Sequence, residues 1–174
     1  MIIETNRLIL RKLTLDDLTE LHDILSDPET MKHYPKPFDL DKSISWIEWN
    51  VENYIKYGFG LWAVVLKESN QFIGDCGITM QNIKGDIVPE IGYHINKRNA
   101  NMGYATEAAQ ACVKYAFETL KFNKIYSYMK YTNIPSQRVA EKNGMKFVEE
   151  IEDEKNEKTR IYAITLEEYQ ECMV

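Results

Sequence analysis

Long apolar runs are missing from this chain of 174 residues. No stretch reaches the roughly 18 apolar residues that a membrane-spanning helix needs. The opening decapeptide MIIETNRLIL lacks a basic cluster followed by a long apolar segment, so no signal peptide is expected. Positive charge is also short: 21 Lys and Arg against 27 Asp and Glu leave a net charge of -6. A nucleic-acid binder usually shows a basic excess, so that class is set aside, and the acid excess permits a cationic partner. The three cysteines form no C-x-x-C pair. A reduced, cytoplasmic chain follows, with Cys76 and Cys112 as small buried hydrophobes. His22, His33 and His94 are too scattered for ligand spacing, so they read as packed or surface residues and no metal is expected. P-loop, dinucleotide-binding, G-x-S-x-G and H-E-x-x-H patterns are absent as well.

What is present suits a folded enzyme. Hydrophobic residues make up 44% of the chain, enough for a sizeable core in one domain over residues 1–174. Residues 2–13 read as a strand, and Thr14 with Asp17 as a capping box. Leu15, Leu18, Leu21 and Leu25 then form a helical stripe. Asp27-Pro28 ends that helix and suits the start of another short one. A long helix is expected from Leu40 to Tyr57 on the spacing of Ile44, Ile47, Val51, Tyr54 and Ile55. Strands follow at 61–67 and 71–79, a loop at 80–87 and a strand at 88–95. A helix over 103–120 has small residues on its apolar stripe, which lets it lie close to a sheet. A strand at 124–131 leads to a short helix capped by Asn133 and closed by Asn143-Gly144. Two strands at 145–151 and 159–165, joined by the charged hairpin 152–158, and a helical turn at 166–172 complete the chain. The pattern predicts a mixed sheet flanked by helices.

The most informative stretch is EIGYHINKRNANMGYATE, residues 90–107. A strand runs into a loop with Gly103, and that loop opens a helix through small or polar residues. A helix N-terminus with unpaired N–H groups suits a pyrophosphate.

Four segments resemble the GNAT N-acetyltransferases, in particular their RimJ/RimL-like branch. Ala100-Asn-Met-Gly103-Tyr-Ala105 stands where that family has Q/R-x-x-G-x-G/A, and Gly103-Tyr-Ala-Thr-Glu-Ala108 resembles the branch's G-Y-A-T-E-A. Glu4-Thr-Asn-Arg7-Leu-Ile-Leu-Arg11 is similar to its opening strand. Asn133-Ile-Pro-Ser136-Gln-Arg138-Val-Ala-Glu141-Lys-Asn-Gly144 is similar to its N-x-x-S-x-R-x-x-E-K-x-G helix, and Tyr162–Tyr169 to its closing segment. Ala100 and Asn101 depart from the pattern, although Asn tolerates the left-handed conformation better than most residues.

The resemblance implies a mostly antiparallel sheet with a V-shaped split between two parallel strands, here 88–95 and 124–131. It implies acetyl-CoA as cosubstrate and an amine-bearing acceptor: a protein N-terminus, a polyamine or other small amine, or an antibiotic. A homodimer is possible on the same grounds, and a CoA-binding sensor without turnover is the alternative. On this mapping Ile95 pairs with the pantetheine arm. The amides of Asn101, Met102, Gly103, Tyr104, Ala105 and Thr106 hold the pyrophosphate. Asn133 and Ser136 face the thiol end, and Arg138 or Lys142 either approaches a phosphate or stays on the surface. Glu90 is the candidate general base or else orients substrate. Ser136 is the candidate general acid or else an ordinary first-turn hydroxyl, with Tyr131 in reserve. Met31, Tyr34, Phe38, Trp46, Trp49 and Tyr57 are expected to wall the acceptor side or to pack in the core.

Overall fold

The computed structural model describes residues 3–152 and 157–172. In chain order its elements are β1 (Ile3–Glu4), β2 (Leu8–Lys12), α1 (Leu18–Leu25), α2 (Leu40–Lys56), β3 (Leu61–Leu66), β4 (Phe72–Ile83), β5 (Asp86–Ile95), α3 (Tyr104–Glu118), β6 (Lys124–Lys130), α4 (Ile134–Lys142), β7 (Lys146–Glu152), β8 (Lys158–Thr165) and α5 (Leu166–Cys172). The strands form one sheet in the order β1-β2-β3-β4-β5-β6-β8-β7. All neighbours are antiparallel except β5 and β6, which run parallel. The expected mixed sheet with one parallel central pair is therefore the observed fold.

Alternation along the strands sorts side chains to two faces. Trp62 and Val64 of β3 join the cluster built on Ala108, Cys112 and Ala116 of α3. Ala63 and Val65 join Leu21, Leu25 and Ile47 of α1 and α2. The small residues of α3 bring its backbone near the sheet, so this helix spans the two strands that matter most, β4 and β5.

Several boundaries differ from the sequence reading. Residues 2–13 are not one strand. The Thr5 side chain accepts from the Leu8 amide at 2.9 Å, and this turn folds β1 back onto β2. Asp27-Pro28 starts a turn rather than a helix, because the Asp27 carboxylate accepts from both the amide and the hydroxyl of Thr30. Residues 80–87 are a hairpin, not a loop. Lys84 and Gly85 both take positive φ, 56° and 95°, which is the twist a two-residue turn needs to join β4 to β5. Leu15 is exposed, as are Val51 and Ile55 on α2. Asn50 is buried there instead, accepting from the Leu61 amide at 2.7 Å and donating to the Trp46 carbonyl at 2.9 Å. Residues 153–156 of the charged hairpin lie outside the described residues.

The hairpin also sets the register that opens the site. Ile83 opposes Asp86, and the pairing continues without slip to Gly74 opposite Ile95. The backbone groups of Ile91, Tyr93 and Ile95 are thereby directed away from β4, toward β6. Among the described residues β5 and β6 are in register at one pair, Glu90 opposite Tyr126. Beyond it the two strands run on without pairing each other. The Ser127 hydroxyl donates to the Ile91 carbonyl at 3.1 Å and closes the apex of this split.

Candidate active site

One side of the split leads to the loop before α3. Lys97–Asn99 makes a single helical turn, led by Asn96, whose side chain accepts from the Arg98 amide at 2.9 Å. Asn101 then adopts φ 61°, the left-handed region that an asparagine tolerates, and Gly103 adopts φ 83° as the N-cap of α3. A glycine cap brings no side chain to its own helix start, so the amides of Tyr104, Ala105 and Thr106 begin α3 facing outward. Met102 is exposed beside them. The loop holds a left-handed pair of residues around a helix end that carries partial positive charge, and an anionic pyrophosphate fits there.

The split itself brings Ile95, Asn133 and Ser136 toward one another. The Asn133 side chain accepts from the Ser136 amide at 3.2 Å and caps α4. The Tyr93 hydroxyl donates to the Ser136 carbonyl at 3.0 Å, tying β5 to α4 across the gap. Asn133, Ser136 and Tyr93 line a cleft of about 260 Å³ that passes through the split to Glu90 on the other side. Arg138 and Tyr131 are exposed, and Lys142 is exposed at the far end of α4.

Glu90 sits at the apex with 8% of its surface accessible. The Thr79 hydroxyl donates to its carboxylate at 3.3 Å, and Gln81 donates to Thr79 at 3.0 Å. Burial pushes its carboxyl up to about 7, against the opposing pull of the Thr79 hydroxyl, His94 and the Tyr128 amide. Gly92 follows on the same face. A Cβ there would meet the Glu90 carboxylate at 3.2 Å, so the missing side chain keeps space beside the acid. Trp46 and Trp49, with ring centroids 5.2 Å apart, wall this half of the cleft together with Tyr34 and Tyr128. Met31 is core, Phe38 packs on Trp46, and Tyr57 stacks on Phe59 away from the cleft.

Residues 7–146 match the family model described as the acetyltransferase (GNAT) domain. The chain belongs to the GNAT family. The match covers most of its length, and it makes the protein an acetyl-CoA-dependent acyltransferase. The uncharacterized protein YkkB of Bacillus subtilis is 38% identical over 144 residues, 82% of this chain and 84% of the relative. The uncharacterized N-acetyltransferase YnaD of the same organism is 32% identical, over 84% of this chain and 83% of its own. The crystal structure of a GNAT-family acetyltransferase from Bacillus anthracis superposes with a TM-score of 0.83 at 30% identity, over 96% of this chain and 99% of that one. The ribosomal-protein acetyltransferase RimL, solved in complex with coenzyme A, shares the fold at a TM-score of 0.78 and 15% identity, over 95% of this chain and 98% of that one.

Two features of this GNAT chain escaped the sequence reading. The first is Arg7. Its Nε donates to Glu107 at 2.6 Å, its Nη1 donates to the Met102 carbonyl at 3.0 Å, and its guanidinium lies 4.4 Å over the Tyr104 ring. The Glu107 carboxylate also accepts from the Arg7 amide and the Thr5 hydroxyl. These bonds outweigh its partial burial and hold its carboxyl below the usual range. Arg7 thus clamps the loop that precedes α3. The second is a buried chain of polar groups on the acceptor side. Asp75, fully buried in β4, accepts from the Trp46 indole at 2.9 Å and pairs with His94 Nδ1 at 2.7 Å. His94 Nε2 lies 2.7 Å from the Tyr34 hydroxyl. His94 is therefore neither a surface residue nor simply packed. The one signal in the sequence was an aspartate inside an apolar strand, Phe72-Ile-Gly-Asp-Cys. Among the described residues no group of three or more His, Cys, Asp or Glu could hold a metal ion, and no helix is long and apolar enough to cross a membrane.

Proposed function

We propose that the chain, as one domain, transfers acetyl from acetyl-CoA to a primary amine by direct attack in a ternary complex. The observation that carries this reading is the buried Glu90 carboxylate at the apex of the split, where the two halves of the cleft meet. Acetyl-CoA supplies the acyl group as an activated thioester. The outward amides of residues 101–106 would hold its pyrophosphate, and backbone around Ile95 its extended arm. Asn133 and Ser136 would stand at the thiol end.

Glu90 takes a proton from the incoming amine, directly or through a water. A carboxyl pushed to about 7 is matched to that task near neutrality. The Ile95 amide, directed into the split, donates to the developing oxyanion. Ser136 gives a proton to the departing thiolate. The structure of RimL with coenzyme A supports this placement by analogy of fold. The aromatic wall suits a small amine as readily as a peptide N-terminus. Free Cys76, Cys112 and Cys172 suit a cytoplasmic setting.

Calorimetric titration with acetyl-CoA, followed by an acceptor screen of N-terminal peptides, polyamines and aminoglycosides, tests the reading. One-to-one binding with acetylation of an amine is expected. Folded protein that binds no acetyl-CoA would sink it, and binding without turnover would favour a CoA sensor.

A further inference from the structure

Asp75, His94 and Tyr34 form a hydrogen-bonded line with one buried end and one open end. Asp75 is fully buried, His94 is 7% exposed, and Tyr34 is 40% exposed. The two contacts along the line are 2.7 Å each. Asp75 also accepts from the His94 amide at 3.1 Å and from the Trp46 indole. With Asp75 accepting at Nδ1, the neutral ring presents Nε2 as an acceptor, and the Tyr34 hydroxyl donates to it. The lone pairs of Tyr34 are then left toward the cleft that Tyr34, His94 and Glu90 share. A buried aspartate–histidine pair is a costly way to hold a sheet together, and apolar residues of similar size would do so at least as well.

We propose that this line removes a proton from the acceptor amine: Tyr34 meets the ammonium, and His94 and Asp75 act behind it. The inference rests on the acetyltransferase reading above. An N–H bond of the ammonium breaks as an O–H bond forms at Tyr34, while the original hydroxyl proton moves to His94 Nε2. One proton is transferred, the amine recovers its lone pair, and the imidazolium formed is held by Asp75. The proton then returns to solvent from Tyr34 at the cleft mouth. Tyr34 is the catalytic residue of the line, and His94 and Asp75 are positioning residues. The groups facing His94 are Asp75 from β4, Tyr34 from the turn before α2, Trp46 from α2 and Glu90 on its own strand. Burial works against a charged His94, but Asp75 and Glu90 more than offset it and hold its pKa above the ordinary value.

The test compares two acceptors at neutral pH: benzylamine, which arrives as an ammonium ion, and hydroxylamine, which arrives largely neutral and has no such proton to lose. Tyr34→Phe and His94→Gln are expected to lower kcat/KM for benzylamine about 100-fold while changing that for hydroxylamine less than about threefold. Asp75→Asn should move the limb of the benzylamine pH profile that reports His94 to lower pH. Melting and acetyl-CoA calorimetry of each variant establish that it is folded and loaded. An equal loss with both amines would make the line structural and overturn the proposal, as would no loss with either. Wild-type protein that binds acetyl-CoA but acetylates neither amine also overturns it. Failure to bind acetyl-CoA would instead overturn the acetyltransferase reading.

Discussion

The two faces of the sheet do different work. Toward α3 the buried side chains are small or apolar, among them Ile78, Ile91, Ala108, Ala109 and Cys112. The polar groups offered beyond that face are mainly backbone amides at the start of α3. Toward α1 and α2 the same two central strands bury Asp75, Thr79, Glu90 and His94. One face can hold an unvarying anionic partner with main-chain N–H groups, which need no proton balance and little reorganisation. The other carries titratable side chains, which suits a step in which an amine loses a proton. The difference predicts that mutations on the acceptor face change rate, and that mutations at the α3 loop change affinity for acetyl-CoA.

The strongest way to break that contrast is Glu90→Gln. We expect kcat to fall by about 10² to 10³ at neutral pH, the range general-base removal produces, while acetyl-CoA affinity measured by calorimetry stays within a few-fold. Loss of affinity in step with rate would dissolve the distinction between the faces.

A second prediction concerns stability. The Glu90 carboxyl titrates at about 7 in the folded protein, above its value in an unfolded chain. Folding is therefore favoured most at acid pH, where both states are protonated. That advantage declines as pH rises from the unfolded pKa through about 7. The loss is on the order of 3 kcal/mol at most. Glu90→Gln should melt higher than wild type at pH 8, and the gap should close near pH 4. Wild-type activity should rise over the same interval, so stability and rate trade against each other with pH.

On the other face, Gly103→Val forces a β-branched residue into φ 83° at the N-cap of α3. Acetyl-CoA affinity is expected to drop about 30-fold, in keeping with the strain of that conformation and displaced amides. An unaltered titration would put the pyrophosphate elsewhere. Ser136→Ala should lower kcat about tenfold with affinity nearly unchanged, and an unchanged kcat would leave Ser136 as a first-turn hydroxyl only. The smallest effect is expected from Arg7→Ala, which removes the clamp on Met102 and Glu107 but leaves the amides in place. Affinity should fall about threefold, as for a half-exposed ion pair.

Much of this architecture was legible in the chain. The stripe of small residues over 105–116 announced a helix lying close to a sheet, and Asn133 and Gly144 marked the ends of α4, because local backbone chemistry sets those features. The reading failed where tertiary partners override local preference. Gln81 and Asn82 looked like loop, yet they extend β4 because β5 pairs with them. Ile55 fitted an apolar stripe, yet it is 83% exposed, since the sheet contacts the side of α2 that presents Ile47, Asn50 and Tyr54.

The site divides in the same way. Residues 101–106, Asn133 and Ser136 stand on contiguous motifs, so the sequence alone picked them out. It also supplied Glu90 as a carboxylate in a strand. Its burial, its carboxyl at about 7 and its place at the apex required the register of β4 on β5 and the single parallel pair with β6. Asp75 and His94 are 19 positions apart, and Tyr34 is 60 from His94. Only the hairpin and the packing of the turn before α2 bring them into line. Backbone geometry is written in neighbouring residues, whereas the electrostatics of a buried group depends on everything that surrounds it in space.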